Sequence, residues 1–219
     1  MAEQRKSIWM VKEQKDEKVK SDWRIVLASN SPRRRELLAG LGIDFEVRVL
    51  PNIDESYPSS LSALETAEYI ARKKAVAYQV QMADDELIIT ADTVVIVGDE
   101  VLGKPADADE ARTMLLKLSG RTHQVVTGVC LTTREQTRHF SVRTDVTFKS
   151  LTDEELDYYI INYKPYDKAG AYGIQEWIGY IGCTGLNGSY YNVMGLPVQR
   201  IYTELQVFTR QHSLPDYQL

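Results

Sequence analysis

The chain has 219 residues, a formal net charge of −5 and an apolar fraction of 43%, which suits one large packed domain or two small lobes. A pI near 5.3 argues against a general nucleic-acid binder, because such proteins present a basic face to the phosphate backbone. The acidic balance allows a local basic pocket but not a basic surface, and no apolar run reaches the length of a membrane span. Cys130 and Cys183 form neither a metal-spaced pair nor a disulfide framework, so a cytoplasmic location is expected.

In chain order, residues 1–23 are charged and mixed, with no apolar signal-peptide core, and are expected to be a flexible extension. "RIVLA" at 24–28 is a short strand running into "SNSPRRRELLAGLG". There Ser31 is a good N-cap, Pro32 a good first helical residue, and Leu37, Leu38 and Leu41 an apolar stripe. This places Arg33, Arg34 and Arg35 in the first turn, where the helix dipole favours anions, not cations. Such a helix end, with free N–H groups and arginine forks, makes a phosphate site. Solvated arginines are the plainer reading, and the triplet alone does not separate the two.

"FEVRVL" at 45–50 alternates like a half-buried strand, and "PNIDESYPSS" is a loop. Ser62 and Glu65 form a capping box before a helix expected over 63–81, with Ala67, Ala71 and Lys74 on its small-residue face. "LIIT" and "TVVIV" flank Ala91 and Asp92, and Gly98-Asp99 suits a hairpin turn. A helix is predicted in "ADADEARTMLLKLSG", an antiparallel pair in "HQVVTGVCLTT" and "RHFSVRTDVTF", and a capped helix from Thr152 to before Pro165. The tail "GLNGSYYNVMGLPVQRIYTELQVF" predicts a glycine-rich turn, a short strand and a final helix. Interleaved helices with several hairpin partners give an α/β fold with a mixed sheet.

Asp92 stands inside a β-branched run, where a carboxylate is expensive unless paired or metal-bound, and a function is favoured over a purely structural role. Glu55 and Asp54 matter if their loop folds over Asp92, since converging carboxylates suit Mg²⁺. Lys104 in "GKP" should lie near the same sheet edge, and Lys168 lies in "DKAGAYGIQ". The Gln175 amide, a donor beside an acceptor, matches the O4 and N3–H edge of uracil or thymine. Flipped, it matches cytosine, so it does not set the base alone. His123, Tyr190 and Tyr191 read as structural or packing residues.

"LASNSPRRRELL", "ADTVV", "GKP", "LSGRTHQVVTGV", "DKAGAYGIQ" and "NGSYYNVMGLP", in this order, resemble Maf proteins, which are nucleoside triphosphate pyrophosphatases. The resemblance runs from about Arg24 to Leu205. One small departure is Asn30, where many relatives carry Gly or Gln. The resemblance implies an elongated mixed β-sheet flanked by helices, with two lobes around a cleft, similar to ITP pyrophosphatase-like folds, within a single catalytic domain at 24–210. It implies cleavage between the α and β phosphates, a divalent cation (Mg²⁺ or Mn²⁺) and a homodimer. Asp92 looks like the proton acceptor that activates water. Arg33, Thr93 and Gln175 match positions linked to substrate choice, and Ser29, Arg34, Glu55, Lys74 and Lys104 match other cleft positions. Asp92 and Glu55 would hold the metal. "AGAYGIQ" resembles the branch acting on dTTP and UTP, with modified pyrimidine nucleotides as further substrates. A nucleotide-binding regulator of cell division without significant turnover is the alternative. No nucleic-acid or membrane partner is expected.

Overall fold

The structure, a computed structural model, describes residues 23–212, with side chains as far as Phe208. The expectation for the N-terminal extension therefore lies almost wholly outside the described residues. One seven-stranded sheet organises the chain. Its order is β2 (Glu46–Val47), β1 (Arg24–Leu27), β3 (Glu86–Val97), β5 (Thr122–Thr132), β6 (Thr137–Phe148) and β7 (Cys183–Asn187), with β4 (Glu100–Leu102) paired to the far end of β3. β1 runs parallel to β2 and β3, and every other pairing is antiparallel. The mixed α/β sheet expected from the sequence is present.

Two hydrophobic cores occupy opposite ends of the long strands. Leu87, Ile89 and Ala91 of β3 join one, with α1 (Pro32–Ala39) and Ile201, Leu205 and Phe208 of α7 (Val198–His212). Val95 joins the other, with α3 (Ala108–Leu118), α4 (Asp153–Tyr163) and Ile178 of α5 (Trp177–Gly182). On this side-chain parity Thr93 falls between the two cores, and the alternate face of β3 lies under α2 (Ala63–Gln79).

Several elements differ from the sequence reading. The segments either side of Asp92 form one continuous twelve-residue strand. The strand expected at 45–50 is two exposed residues, because β1 offers only four residues to pair with. The tail strand sits before the glycine turn, as β7, and "YYNVM" is instead a helical turn, α6 (Tyr190–Met194). Ser189 caps it by accepting from the Asn192 N–H at 3.3 Å, and the buried Asn192 amide donates to Val125 O and Thr144 Oγ1. α5 was not expected at all. Tyr190 and Tyr191 are exposed at 41% and 51%, not packed. His123 is buried between Phe148 and Tyr172, as expected of a structural residue. Cys130 and Cys183 are free thiols, and no helix among the described residues is long and apolar enough to cross a membrane.

Candidate active site

The site begins with a gap in strand pairing. β1 covers β3 from Glu86 to Ile89 and β4 covers it from Val95 to Val97, so, among the described residues, 90–94 have a strand neighbour only on the β5 side. A cavity of about 360 Å³ opens at this bare edge. Both faces of the strand reach it, Asp92 from the side of α2 and Thr93 from the other.

α2 sits unusually close to the sheet. A Cβ on Gly128 of β5, which pairs with Asp92, would lie 2.3 Å from the α2 backbone at Ala67 and Glu68. Only glycine permits that approach. Thr90 Oγ1 donates to Ala71 O at 2.7 Å one turn further along. The small-residue face therefore exists to bring α2 down, and Lys74, next along this face, meets Asp92.

Lys74 Nζ donates to Asp92 Oδ1 at 2.8 Å and lies 3.0 Å from Glu55 Oε1. The loop carrying Glu55 is clamped by its neighbours. Lys73 Nζ binds Asp54 Oδ2 at 2.6 Å and Ser56 O at 2.9 Å, and Asp54 accepts the Ser56 N–H. The Lys73 ammonium and the Ser56 amide hold the Asp54 carboxyl well below the usual range. Lys73 and Asp54 thus set the reach of Glu55, which the sequence left conditional on how this loop folds.

Ser31 caps α1 by accepting the Arg34 N–H at 3.4 Å, and Ser29 Oγ accepts the Ser31 N–H at 3.2 Å. The arginine triplet then divides by helix geometry, at about 100° per residue. Arg34 fills the bare edge of β3: it donates to Gly195 O at 2.8 Å, Ala91 O at 2.9 Å and Thr93 Oγ1 at 3.1 Å. Burial draws its guanidinium below the ordinary value, Arg33 acts in the same sense, and Asp92 and Glu55 oppose both. An arginine remains charged there. Thr93 continues the chain to Thr127 Oγ1 at 2.9 Å, which donates to Asn192 O at 3.1 Å. Arg33 pairs with Asp167 at 3.0 Å. Arg35 points outward, to Asn30 at 3.3 Å.

"DKAGAYGIQ" closes the opposite wall. Gly170 and Ala171 both take left-handed backbone (φ 66 and 59), and a Cβ on Gly170 would meet Val95 at 2.9 Å. The buried Lys168 ammonium lies between Asp167, at 2.8 Å, and Glu176, at 3.0 Å. Burial raises the Asp167 carboxyl, but the hydrogen bonds from Lys168 and Arg33 outweigh it and leave the group below its usual range. Gln175 lines the cavity, and its Oε1 is buried without a hydrogen-bond partner. Lys104 lines the cavity too and makes no ion pair among the described residues.

Nine of the ten residues singled out from the sequence thus line one cavity: Arg33, Arg34, Glu55, Lys74, Asp92, Thr93, Lys104, Lys168 and Gln175. Ser29 lines an adjoining pocket that shares Arg33, Arg34, Glu55, Lys74 and Lys104. Sequence reasoning missed Asp167, Glu176 and Tyr159, which partner the site's cations and turns. The one available signal was an acidic residue beside Lys168 in an otherwise specific loop.

Cations at one end, a carboxylate–lysine–carboxylate cluster in the middle and an unpartnered amide at the other define an α/β protein built to hold a polar, strongly anionic ligand. A model of the family described as Maf-like protein matches residues 24–208, and the chain belongs to this family. A protein of Phocaeicola vulgatus named dTTP/UTP pyrophosphatase is 64% identical over 84% of this chain and 95% of its own length. One of Parabacteroides distasonis with the same name is 62% identical over 85% and 96%. Among solved structures, a nucleoside-triphosphatase / dITP/XTP pyrophosphatase from Mycobacterium abscessus aligns over 88% of this chain and 99% of its own, at 16% identity and a TM-score of 0.41. The fold assignment rests on the strand order itself.

Proposed function

We propose that this protein hydrolyses dTTP and UTP to the nucleoside monophosphate and pyrophosphate, in one catalytic unit spanning residues 24–210. The observation that carries the reading is the Asp92–Lys74–Glu55 cluster, set in a single cavity between arginines and the unpartnered Gln175 Oε1. The names of the relatives, which match nearly end to end, support the same substrates.

The residues divide the work. Arg33, Lys104 and the α1 N-terminus face the phosphates and oppose charge developing on the leaving pyrophosphate. Arg34, held by three protein acceptors, keeps the bare strand edge polar and fixed. Asp92 orients the attacking water at the α phosphate and takes its proton. Lys74 keeps Asp92 aimed, and Lys168 bears on the substrate beside Arg33. Thr93 keeps Arg34 in register, and Ser29 shapes the phosphate loop. Gln175 accepts from the pyrimidine N3–H.

A divalent cation suits these donors. Asp92 Oδ2 has no hydrogen-bond partner among the described residues, and the Glu55 carboxylate comes to the same lysine as Asp92. That is the donor set of Mg²⁺ or Mn²⁺ held by one or two carboxylates, Asp92 and Glu55, together with substrate phosphates. When bound, the ion would polarise the phosphoryl oxygens and lower the pKa of water. A cytoplasmic homodimer is the setting proposed by analogy with the family.

Pyrophosphate release from dTTP, UTP, CTP, GTP and ATP with Mg²⁺ tests the reading. The wild type is expected to turn over dTTP and UTP, with a modest preference between them because they differ by one methyl, and Asp92→Asn is expected to fail. Binding of dTTP without pyrophosphate release would overturn the hydrolase and leave a nucleotide-binding regulator.

A further inference from the structure

We infer that Tyr159 and Glu176 are positioning residues that fix the backbone turn carrying Gln175 and so set where its amide meets the base and which pyrimidine the cavity accepts. The inference rests on the nucleotide reading above and adds residues that this reading does not use.

Gln175 lies inside a tight turn in which the Glu176 N–H donates to Gly173 O at 3.0 Å and the Gly179 N–H donates to Glu176 O at 2.8 Å. The fully buried Tyr159 hydroxyl closes both ends of this turn. It accepts the Gly173 N–H at 3.0 Å and donates to Glu176 Oε2. The other oxygen of Glu176 holds Lys168 at 3.0 Å, and Lys168 reaches back to Asp167. Within 167–176, Gln175 Oε1 is the one buried side-chain polar atom with no partner. Burial, reinforced by the neighbouring Glu176, pushes the Tyr159 phenol far above its ordinary value. The hydroxyl therefore stays a donor at any working pH.

This arrangement decides specificity because a glutamine amide is ambiguous. One orientation meets the O4 acceptor and N3–H donor of uracil, and the flipped one meets the amino group and N3 acceptor of cytosine. A turn tied at both ends fixes the point from which the amide reaches the base, and so which edge it can meet in good geometry, whereas a turn loosened at either tie lets the amide shift to meet both. A site built around a satisfied hydrogen bond rejects the wrong partner far better than an adaptable one.

The test compares UTP with CTP in Tyr159→Phe, Glu176→Ala and the double variant. Steady-state kinetics are joined by calorimetric Kd values for the α,β-imido analogues of both nucleotides. Each single variant is expected to lower the UTP-to-CTP ratio in kcat/KM by about tenfold. The change should come mainly from the KM for UTP, with kcat falling by less than about threefold. The double variant should fall no further than the singles, since both remove one link. An unchanged ratio, equal losses on both nucleotides, or additive losses in the double variant would each overturn the inference. Glu176→Ala, at a half-buried side chain, decides alone if Tyr159→Phe does not fold. A wild type that turns over neither nucleotide sinks the hydrolase. The Kd ratio then decides: a ratio that collapses in the variants upholds the positioning role, and equal affinities in wild type and variants, or no binding, overturn it.

Discussion

Strand β3 carries two carboxylates, and they live differently. Glu86, at its start, is 1% exposed and answered on every side. Arg48 donates to both of its oxygens at 2.9 and 2.5 Å, Arg24 lies 3.0 Å away, and the Ala83 N–H donates at 3.1 Å. β1 covers the strand there. Asp92, six residues on, stands where no strand covers the edge. It has one partner, Lys74, on one oxygen, and lines a cavity. The contrast separates a carboxylate that completes the fold from one kept available for chemistry. Asp92 is the more exposed of the two, at 15% of its side chain against 2% for Glu86, but what marks it is the oxygen the protein leaves unsatisfied.

The largest effect expected from this contrast is at Asp92. Asp92→Asn should lower kcat on UTP by about 10³-fold with Tm nearly unmoved, as read by pyrophosphate release and calorimetry. Glu86→Gln should do the reverse. It removes the charge from a buried carboxyl whose two arginines keep Glu46 and Asp85 as partners, and should reduce stability by about 1–3 kcal/mol in urea titration, with kcat per folded molecule unchanged. Comparable stability losses in both variants would break the comparison.

Acid should expose a related difference. Burial lowers the His123 pKa to about 4. The unfolded chain thus takes up the proton near 6.5 while the folded one refuses it. Stability is complete above 6.5 and drains as pH falls toward 4, by about 3 kcal/mol. Glu86 acts lower down. The hydrogen bonds from Arg48 depress its pKa against the opposing effect of burial, so its contribution is present above the unfolded carboxyl value and is lost as pH falls through the folded one. Chemical denaturation at stepped pH should show both phases, with His123→Gln flattening the upper and Glu86→Gln the lower. The smallest effect belongs to Asp85, an exposed partner of Arg24 at 3.1 Å; because solvent screens exposed pairs, Asp85→Asn should leave the urea midpoint where the wild type has it.

Elements with local signals were legible in the sequence. The capping boxes at Ser62 and Thr152 begin α2 and α4 as expected, with Glu65 and Glu155 accepting the cap N–H groups at 3.2 and 2.9 Å. Pro32 and Ser31 begin α1. Less legible were α5, α6 and the brevity of β2, because each depends on what packs against it. "YYNVM" has the composition of a strand but turns into a helix once Asn192 is buried under β5 and β6.

The same division holds for the site. Residue types named Asp92, Lys74, Lys104 and Lys168 as candidates, because a charge in an apolar or oddly specific context calls for an explanation; Gln175 by itself reads as an amide bonding its own loop, and only the family resemblance singles it out. The arginine triplet alone did not separate a phosphate site from solvated arginines; helix geometry set Arg35 apart from Arg33 and Arg34, but not what each of those two meets. That was settled by tertiary structure alone: α1 emerges beside a bare strand edge, so Arg34 fills it, Arg33 meets Asp167 and Arg35 faces outward. Likewise the small-residue face of α2 predicted close packing, while the depth of that packing, and hence the Lys74–Asp92 contact, depended on a glycine sixty residues away in sequence. Local rules of capping, periodicity and charge act within a few residues and can be read in order. The gap between β1 and β4, and the partners it brings together, arises from pairings distant in the chain.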